Sequence, residues 1–255
     1  MSAEMLKVSG LQMRFGGLLA VDGIEFDVRR DEVFAIIGPN GAGKTTVFNC
    51  VGGFYKPTAG EVMLDGHSIA RQPSHVVARH GLVRTFQNIR LFRQLTVVEN
   101  LMVAQHRQVK AGLLHGLLAT PAYRRAEREA LGRAAEWLER MGLTSVANRE
   151  AGTLSYGHQR RLEIARCMIT QPRLLMLDEP AAGLNPQEKI ELQQLIDSLR
   201  REFNISVLLI EHDMSLVMGV SDRILVMEHG KPIMIGKPDE VRNDPRVIKA
   251  YLGED

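Results

Sequence analysis

The octapeptide Gly38-Pro39-Asn40-Gly41-Ala42-Gly43-Lys44-Thr45 constrains this chain more than any other feature. It matches GxxxxGK[ST], follows the apolar run Val33–Ile37 and opens a segment with helical character. That context predicts a strand, a phosphate loop and a helix. Glycines let successive backbone N–H groups turn inward around phosphates, and the helix adds the positive end of its dipole. In such a loop Lys44 reaches the β- and γ-phosphates of a nucleoside triphosphate. The Thr45 hydroxyl is placed to ligate Mg2+, and Thr46 to hydrogen-bond the α-phosphate.

A second segment supplies complementary chemistry. Arg173-Leu174-Leu175-Met176-Leu177-Asp178-Glu179 is an apolar strand ending in two adjacent carboxylates. A phosphate-loop ATPase needs a magnesium anchor and a water-activating base at such a strand end. Asp178 suits the first role, acting through water, and Glu179 suits the second, accepting a proton from the attacking water or polarising it. An acidic pair of this kind taken alone is more often a solvated turn; the phosphate loop upstream reverses that reading.

Strands and helices alternate, with residues 207–210 preceding a helix from Asp213 in the same way, which predicts a parallel-rich α/β core. Residues 7–15, 24–29 and 61–64 read as strands broken by Gly-Gly and Asp-Gly turns, a small antiparallel layer. From 96 to about 170 the strand signal gives way to helical periodicity at 97–105, 123–141 and 157–169. This predicts a helical subdomain inserted into a single domain spanning 1–255. With one phosphate loop and no internal repeat, a tandem double cassette is not expected. A short helix, Pro245–Leu252, closes the chain.

At 255 residues and 45% apolar content a sizeable core is available, and a net charge of +2 gives no argument for nucleic acid as a partner. No apolar run approaches the 20 or so residues needed to span a bilayer, and the first residues lack a secretory signal, which predicts a cytoplasmic chain. Cys50 and Cys167 lie in predicted helices and in no metal-binding spacing, so both read as buried reduced thiols.

Leu154-Ser155-Tyr156-Gly157-His158-Gln159, just before the two-carboxylate strand, resembles the LSGGQ signature of ABC ATPases. The resemblance extends over nearly the whole chain. It implies a Gln-loop residue at Gln87, contacting Mg2+ or water where the core gives way to the helical subdomain, a switch histidine at His212 and an adenine-stacking aromatic at Phe15. The other seven histidines sit in no comparable context. Ser155 and the Gly157 backbone can donate to a γ-phosphate, and in the family that phosphate belongs to a second subunit's nucleotide, so ATP joins two cassettes. Tyr156 and His158 depart from the signature, and Asn185 falls where the family usually has aspartate, in a loop crossing the dimer interface.

Arg14-Phe15-Gly16-Gly17, Arg84-Thr85-Phe86-Gln87, the run from Asp178 to Asn185, the segment 106–122 and the ending Ala250-Tyr251-Leu252-Gly253 are similar to ATP-binding subunits of bacterial branched-chain amino acid importers. The resemblance implies ATP and Mg2+ as cofactors, with transmembrane permease subunits and a second, identical or similar, ATPase subunit as partners. It also implies an extracytoplasmic solute-binding protein as an indirect partner, and a peripheral place on the cytoplasmic face of the inner membrane. An ABC ATPase serving another solute or an exporter, and a non-transport ABC ATPase, are the alternative readings. Residues 107–133 hold six Lys/Arg against two Asp/Glu, which fits a solvated helical face or, as a second reading, proximity to anionic lipid.

Overall fold

The structure, a computed structural model, describes residues 4–106 and 121–252. They gather into two compact units. One comprises the described residues up to Arg84 with those from Arg173 onward, the other those within Thr85–Pro172.

The first unit carries strands β1 Glu4–Phe15, β2 Leu18–Arg29, β3 Val33–Ile37, β4 Ala59–Leu64, β5 His67–Ser68, β6 Leu82–Arg84, β7 Leu174–Asp178, β8 Ser206–Ile210, β9 Arg223–Glu228 and β10 Lys231–Gly236. One sheet has the order β2-β1-β4-β5 and is antiparallel; the other runs β10-β9-β3-β8-β7-β6 and is parallel except at β10. Every residue of β3, β7 and β8 is buried. Parallel central strands covered on both faces read this way, as near-continuous apolar runs.

One hydrophobic cluster joins the two sheets and the helix Lys44–Val51, with Phe26 and Phe34 stacked at 5.3 Å between ring centres and Phe48, Leu64, Met176 and Leu208 in the same cluster. Burying each such side chain stabilises by about 1.5–3 kcal/mol. This core fixes the carboxyl ends of β3, β7 and β8, where the phosphate loop, Glu179 and Glu211 follow directly. Cys50 is buried, as expected. Cys167, expected to be buried, is only partly so: like Arg166 before it, it falls where its helix is incompletely covered, between buried Ala165 and Met168.

The second unit is built from the helices Val97–Ala104, Pro121–Arg140 and Tyr156–Met168. A capping box between Thr96 and Glu99 starts the first of these. Ala130, Ala134, Trp137 and Leu138 form the buried face of the second. Fully buried Gln105 ties the two helices: its Nε2 donates to the Ala130 carbonyl at 2.9 Å, and its Oε1 accepts from Arg133 at 2.8 Å. Much of the 106–122 segment and of the basic stretch, at 107–120, lies outside the described residues; Arg124, Arg125 and Arg128 are exposed. Among the described residues no helix is long and apolar enough to cross a membrane.

Candidate functional site

Glycine is required where the phosphate loop passes other backbone. A Cβ at Gly38 would lie 2.1 Å from the Met227 carbonyl oxygen. One at Gly43, where φ is +94°, would lie 2.7 Å from that of Ala20. Gly43 also caps the helix Lys44–Val51 without a side chain. The first-turn N–H groups of such a helix have no partners within it.

Lys44 is buried beneath this loop, its Nζ donating to the carbonyls of Gly38 at 2.6 Å and Pro39 at 2.9 Å. Burial lowers its pKa from the usual lysine value, and the charge of Glu179 opposes that shift. Asn40, Gly41, Ala42, Gly43, Lys44, Thr45 and Thr46 line one cleft of about 400 Å³, and Glu179 lines it too. The residue that follows β7 thus brings its carboxylate to the phosphate loop.

Glu179 holds a left-handed backbone, φ +46°. For a non-glycine residue this conformation costs about 1–3 kcal/mol. Two bonds hold it: its N–H donates to the Ile210 carbonyl at 2.9 Å, and its own carbonyl accepts from Ala182 at 3.2 Å. The buried Asp178 carboxylate accepts from Arg84 at 2.6 Å, and the other arm of that guanidinium reaches Asn49 Oδ1 at 2.6 Å. Sequence reading treated Arg84 only as part of a motif; its place between β7 and the phosphate-loop helix comes from the parallel pairing of β6 with β7.

His212 follows β8, and its exposed ring places Nδ1 3.9 Å from Glu179 Oε2. Beside it stands a residue the sequence did not single out, Glu211, with no exposed surface. Phe15 is exposed at the end of β1 with its ring edge-on to Tyr55, centres 5.4 Å apart. His229, set aside in sequence, lines the phosphate-loop cleft from the β9–β10 turn. The phenol of Tyr251 meets the Gly38 backbone, so the C-terminal helix also returns to this loop.

Gln87, Ser155 and Gly157 belong to the second unit. Ser155 caps the helix Tyr156–Met168, its Oγ accepting from the His158 N–H at 3.4 Å. A hydroxyl used this way still has its proton to donate. Gly157 is buried in the first turn, where backbone N–H groups lack helical partners. The backbone around Gln87 is held by a buried ion pair, Arg160 Nη1 to Glu163 Oε2 at 2.7 Å. Arg160 donates to the carbonyls of Phe86 at 3.0 Å and Gln87 at 3.3 Å, while Glu163 Oε1 accepts from the N–H groups of Phe86 and Arg90, each at 3.3 Å. Burial pushes the Glu163 carboxyl above the usual range, against the pull of Arg160.

Among the described residues no group of three or more His, Cys, Asp or Glu could hold a metal ion. Thr45 and Asp178 nevertheless supply a hydroxyl and a carboxylate, hard oxygen donors of the type Mg2+ takes when phosphates complete its shell. The donor set fits magnesium bound together with a nucleotide.

Residues 21–182 match the family model described as ABC transporter. The chain belongs to the ABC transporter ATP-binding family. As a member of it, the protein binds nucleotide and hydrolyses ATP. Residues 231–255 match a further model, branched-chain amino acid ATP-binding cassette transporter. The chain is similar to the high-affinity branched-chain amino acid transport ATP-binding proteins LivG of Salmonella typhimurium and BraF of Pseudomonas aeruginosa. Each is 62% identical over 254 residues, covering 100% of both chains. A crystal structure of the ADP conformation of an ATP-binding cassette is 32% identical with a TM-score of 0.86, covering 99% of this chain and 100% of that one.

The departures from the ABC signature find local partners in this cassette. The Tyr156 hydroxyl accepts from Arg160 at 3.2 Å, and beside the other departure, His158, Gln159 Nε2 donates to the Leu154 carbonyl at 2.9 Å. Asn185, in the place of the family's aspartate, caps the helix Pro186–Phe203 in a capping box with Glu188. Asparagine and aspartate serve that role equally well.

Proposed function

We propose that this ABC ATPase energises a membrane importer for branched-chain amino acids. The observation that carries its catalytic half is the shared cleft, in which Glu179 faces Lys44, Thr45 and Thr46. Support for the solute comes from full-length likeness to relatives named for that transport and from the match over 231–255. The chemistry of phosphate cleavage carries no information about the solute.

In this reading adenine stacks on Phe15, whose flat face binds without reading the base edge. Pro39 shapes the loop, and the N–H groups of Gly38, Asn40, Gly41, Ala42 and Gly43 surround the phosphates. Lys44 turns from its loop carbonyls to the β- and γ-phosphates, and Thr46 binds the α-phosphate. Thr45, Gln87 and Asp178 would hold Mg2+, which would supply charge stabilisation at the phosphates. Glu179 orients the attacking water and takes or polarises its proton, while His212 bridges Glu179 and the γ-phosphate. Ser155 and Gly157 donate to the γ-phosphate held by a second ATPase subunit, so each cassette carries half of two sites. The cassette works peripherally at the cytoplasmic face, on transmembrane permease subunits fed by an extracytoplasmic solute-binding protein.

The Glu179→Gln variant tests the catalytic assignment. It is expected to bind ATP as the parent does, to lose turnover by about 100-fold or more, and to accumulate an ATP-bound dimer on size exclusion. Steady-state hydrolysis at the parent rate would remove Glu179 from this role.

A further inference from the structure

Strand β8 is apolar up to Ile210, and a carboxylate follows it into the core. Glu211 is fully buried, an arrangement that is costly unless every oxygen is satisfied. Its two oxygens face different segments. Oε2 accepts from the Ala181 N–H at 2.9 Å, two residues beyond Glu179. Oε1 accepts from the N–H groups of His212 at 2.8 Å and Asp213 at 3.1 Å, and lies 3.3 Å from His212 Nδ1.

Both segments need such a tether. Glu179 sits in a costly left-handed conformation, and the His212 ring is exposed, so packing does not fix where that ring stands. The Ile210 carbonyl already binds the Glu179 N–H at 2.9 Å. Glu211 extends that link past the strand ends, where no ladder continues it. Lys189 pairs with Asp213 on the outer side of the same turn.

We propose that Glu211 is a positioning residue of the ATPase, holding the switch histidine His212 and the turn after Glu179 in one fixed arrangement. This rests on the reading of His212 as a γ-phosphate contact. Glu211 touches neither nucleotide nor water in this scheme. It acts through His212 and through the turn after Glu179, and its removal leaves the phosphate loop intact. In Glu211→Gln one oxygen becomes an amide donor, so either Ala181 or the His212–Asp213 pair of N–H groups loses its acceptor.

The test is a double-mutant cycle in ATP hydrolysis by the full-length chain. Glu211→Gln is expected to lower kcat about tenfold with KM for ATP changed less than about twofold, the pattern of an interaction made in the transition state. In a His212→Ala background the same change should cost at least about threefold less, since the share that passes through His212 is already lost and residues acting as a unit are not additive. An equal cost in both backgrounds, or a rise in KM with kcat unchanged, would overturn the proposal. Parent-like hydrolysis by His212→Ala would instead refute the reading of His212 and the proposal with it. A measurement on the unaltered protein needs no variant to fold. Native-state hydrogen exchange should find the amides of Ala181, His212 and Asp213 slowed about 100-fold or more relative to an unstructured chain; free exchange there would also overturn it.

Discussion

Replacing Arg160 by methionine removes the cation that neutralises Glu163 and keeps most of the side-chain volume. Arg160 is 1% exposed and the Glu163 side chain 5%, so water cannot take over. Breaking one partner of a buried pair costs about 3–5 kcal/mol, because the other charge stays buried and uncompensated. Part of the loss is independent of charge. The carbonyls of Phe86 and Gln87 lose donors, at about 1 kcal/mol each.

The remainder depends on pH. Burial already raises the Glu163 pKa, and losing Arg160 raises it further. A carboxyl with a raised folded pKa contributes stability that is intact below its unfolded pKa and lost as pH rises through the folded one. Relative to the parent, Arg160→Met should therefore lose about 2 kcal/mol near pH 4.5 and about 3–5 kcal/mol near pH 8. Urea unfolding across that range measures it, with hydrogen exchange at the Phe86 and Arg90 amides reporting the local site. Arg160→Met combined with Glu163→Leu should be less destabilised at pH 8 than Arg160→Met alone. A loss under about 1 kcal/mol, or one independent of pH, would refute this reasoning.

Two further outcomes follow from the first unit. Gly43→Ala forces a side chain into a left-handed conformation 2.7 Å from the Ala20 carbonyl, so stability should fall by about 1–3 kcal/mol. Titration calorimetry should show weaker ATP binding; unchanged affinity would mean the loop adapts. Burial pushes the Cys50 thiol up to about 11, so only about one in a thousand is thiolate at pH 8. A disulfide reagent should leave it unmodified in the native chain and modify it promptly in denaturant; prompt native reaction would contradict its buried place.

The candidate site residues legible in sequence were those whose neighbours in sequence explain them. Val33–Ile37 before the phosphate loop, and Leu174–Asp178 before Glu179, carry strand and chemistry in one stretch. Elements that depend on partners were blurred. Strand β2 starts at Leu18 rather than 24, because it continues through Gly23 with shifts of register against β1, where sequence suggests a break. Arg84, Glu211 and His229 were missed for the same reason. An arginine ending a short strand, a glutamate beside His212 and a histidine in a turn all read as solvated until β6 pairs with β7, β8 ends beside Glu179 and the β9–β10 turn folds onto the cleft. Arg160 and Glu163 look like an ordinary surface pair three residues apart on a helix. Only the path of the chain through residues 86–90 buries them.

Reconstitution of the cassette with candidate permease subunits and a candidate solute-binding protein in vesicles tests the central claim most directly. Leucine, isoleucine or valine at the binding protein should stimulate ATP hydrolysis and drive uptake, and Glu179→Gln should abolish both. Hydrolysis indifferent to all three amino acids, or stimulated only by an unrelated solute, would contradict the assignment.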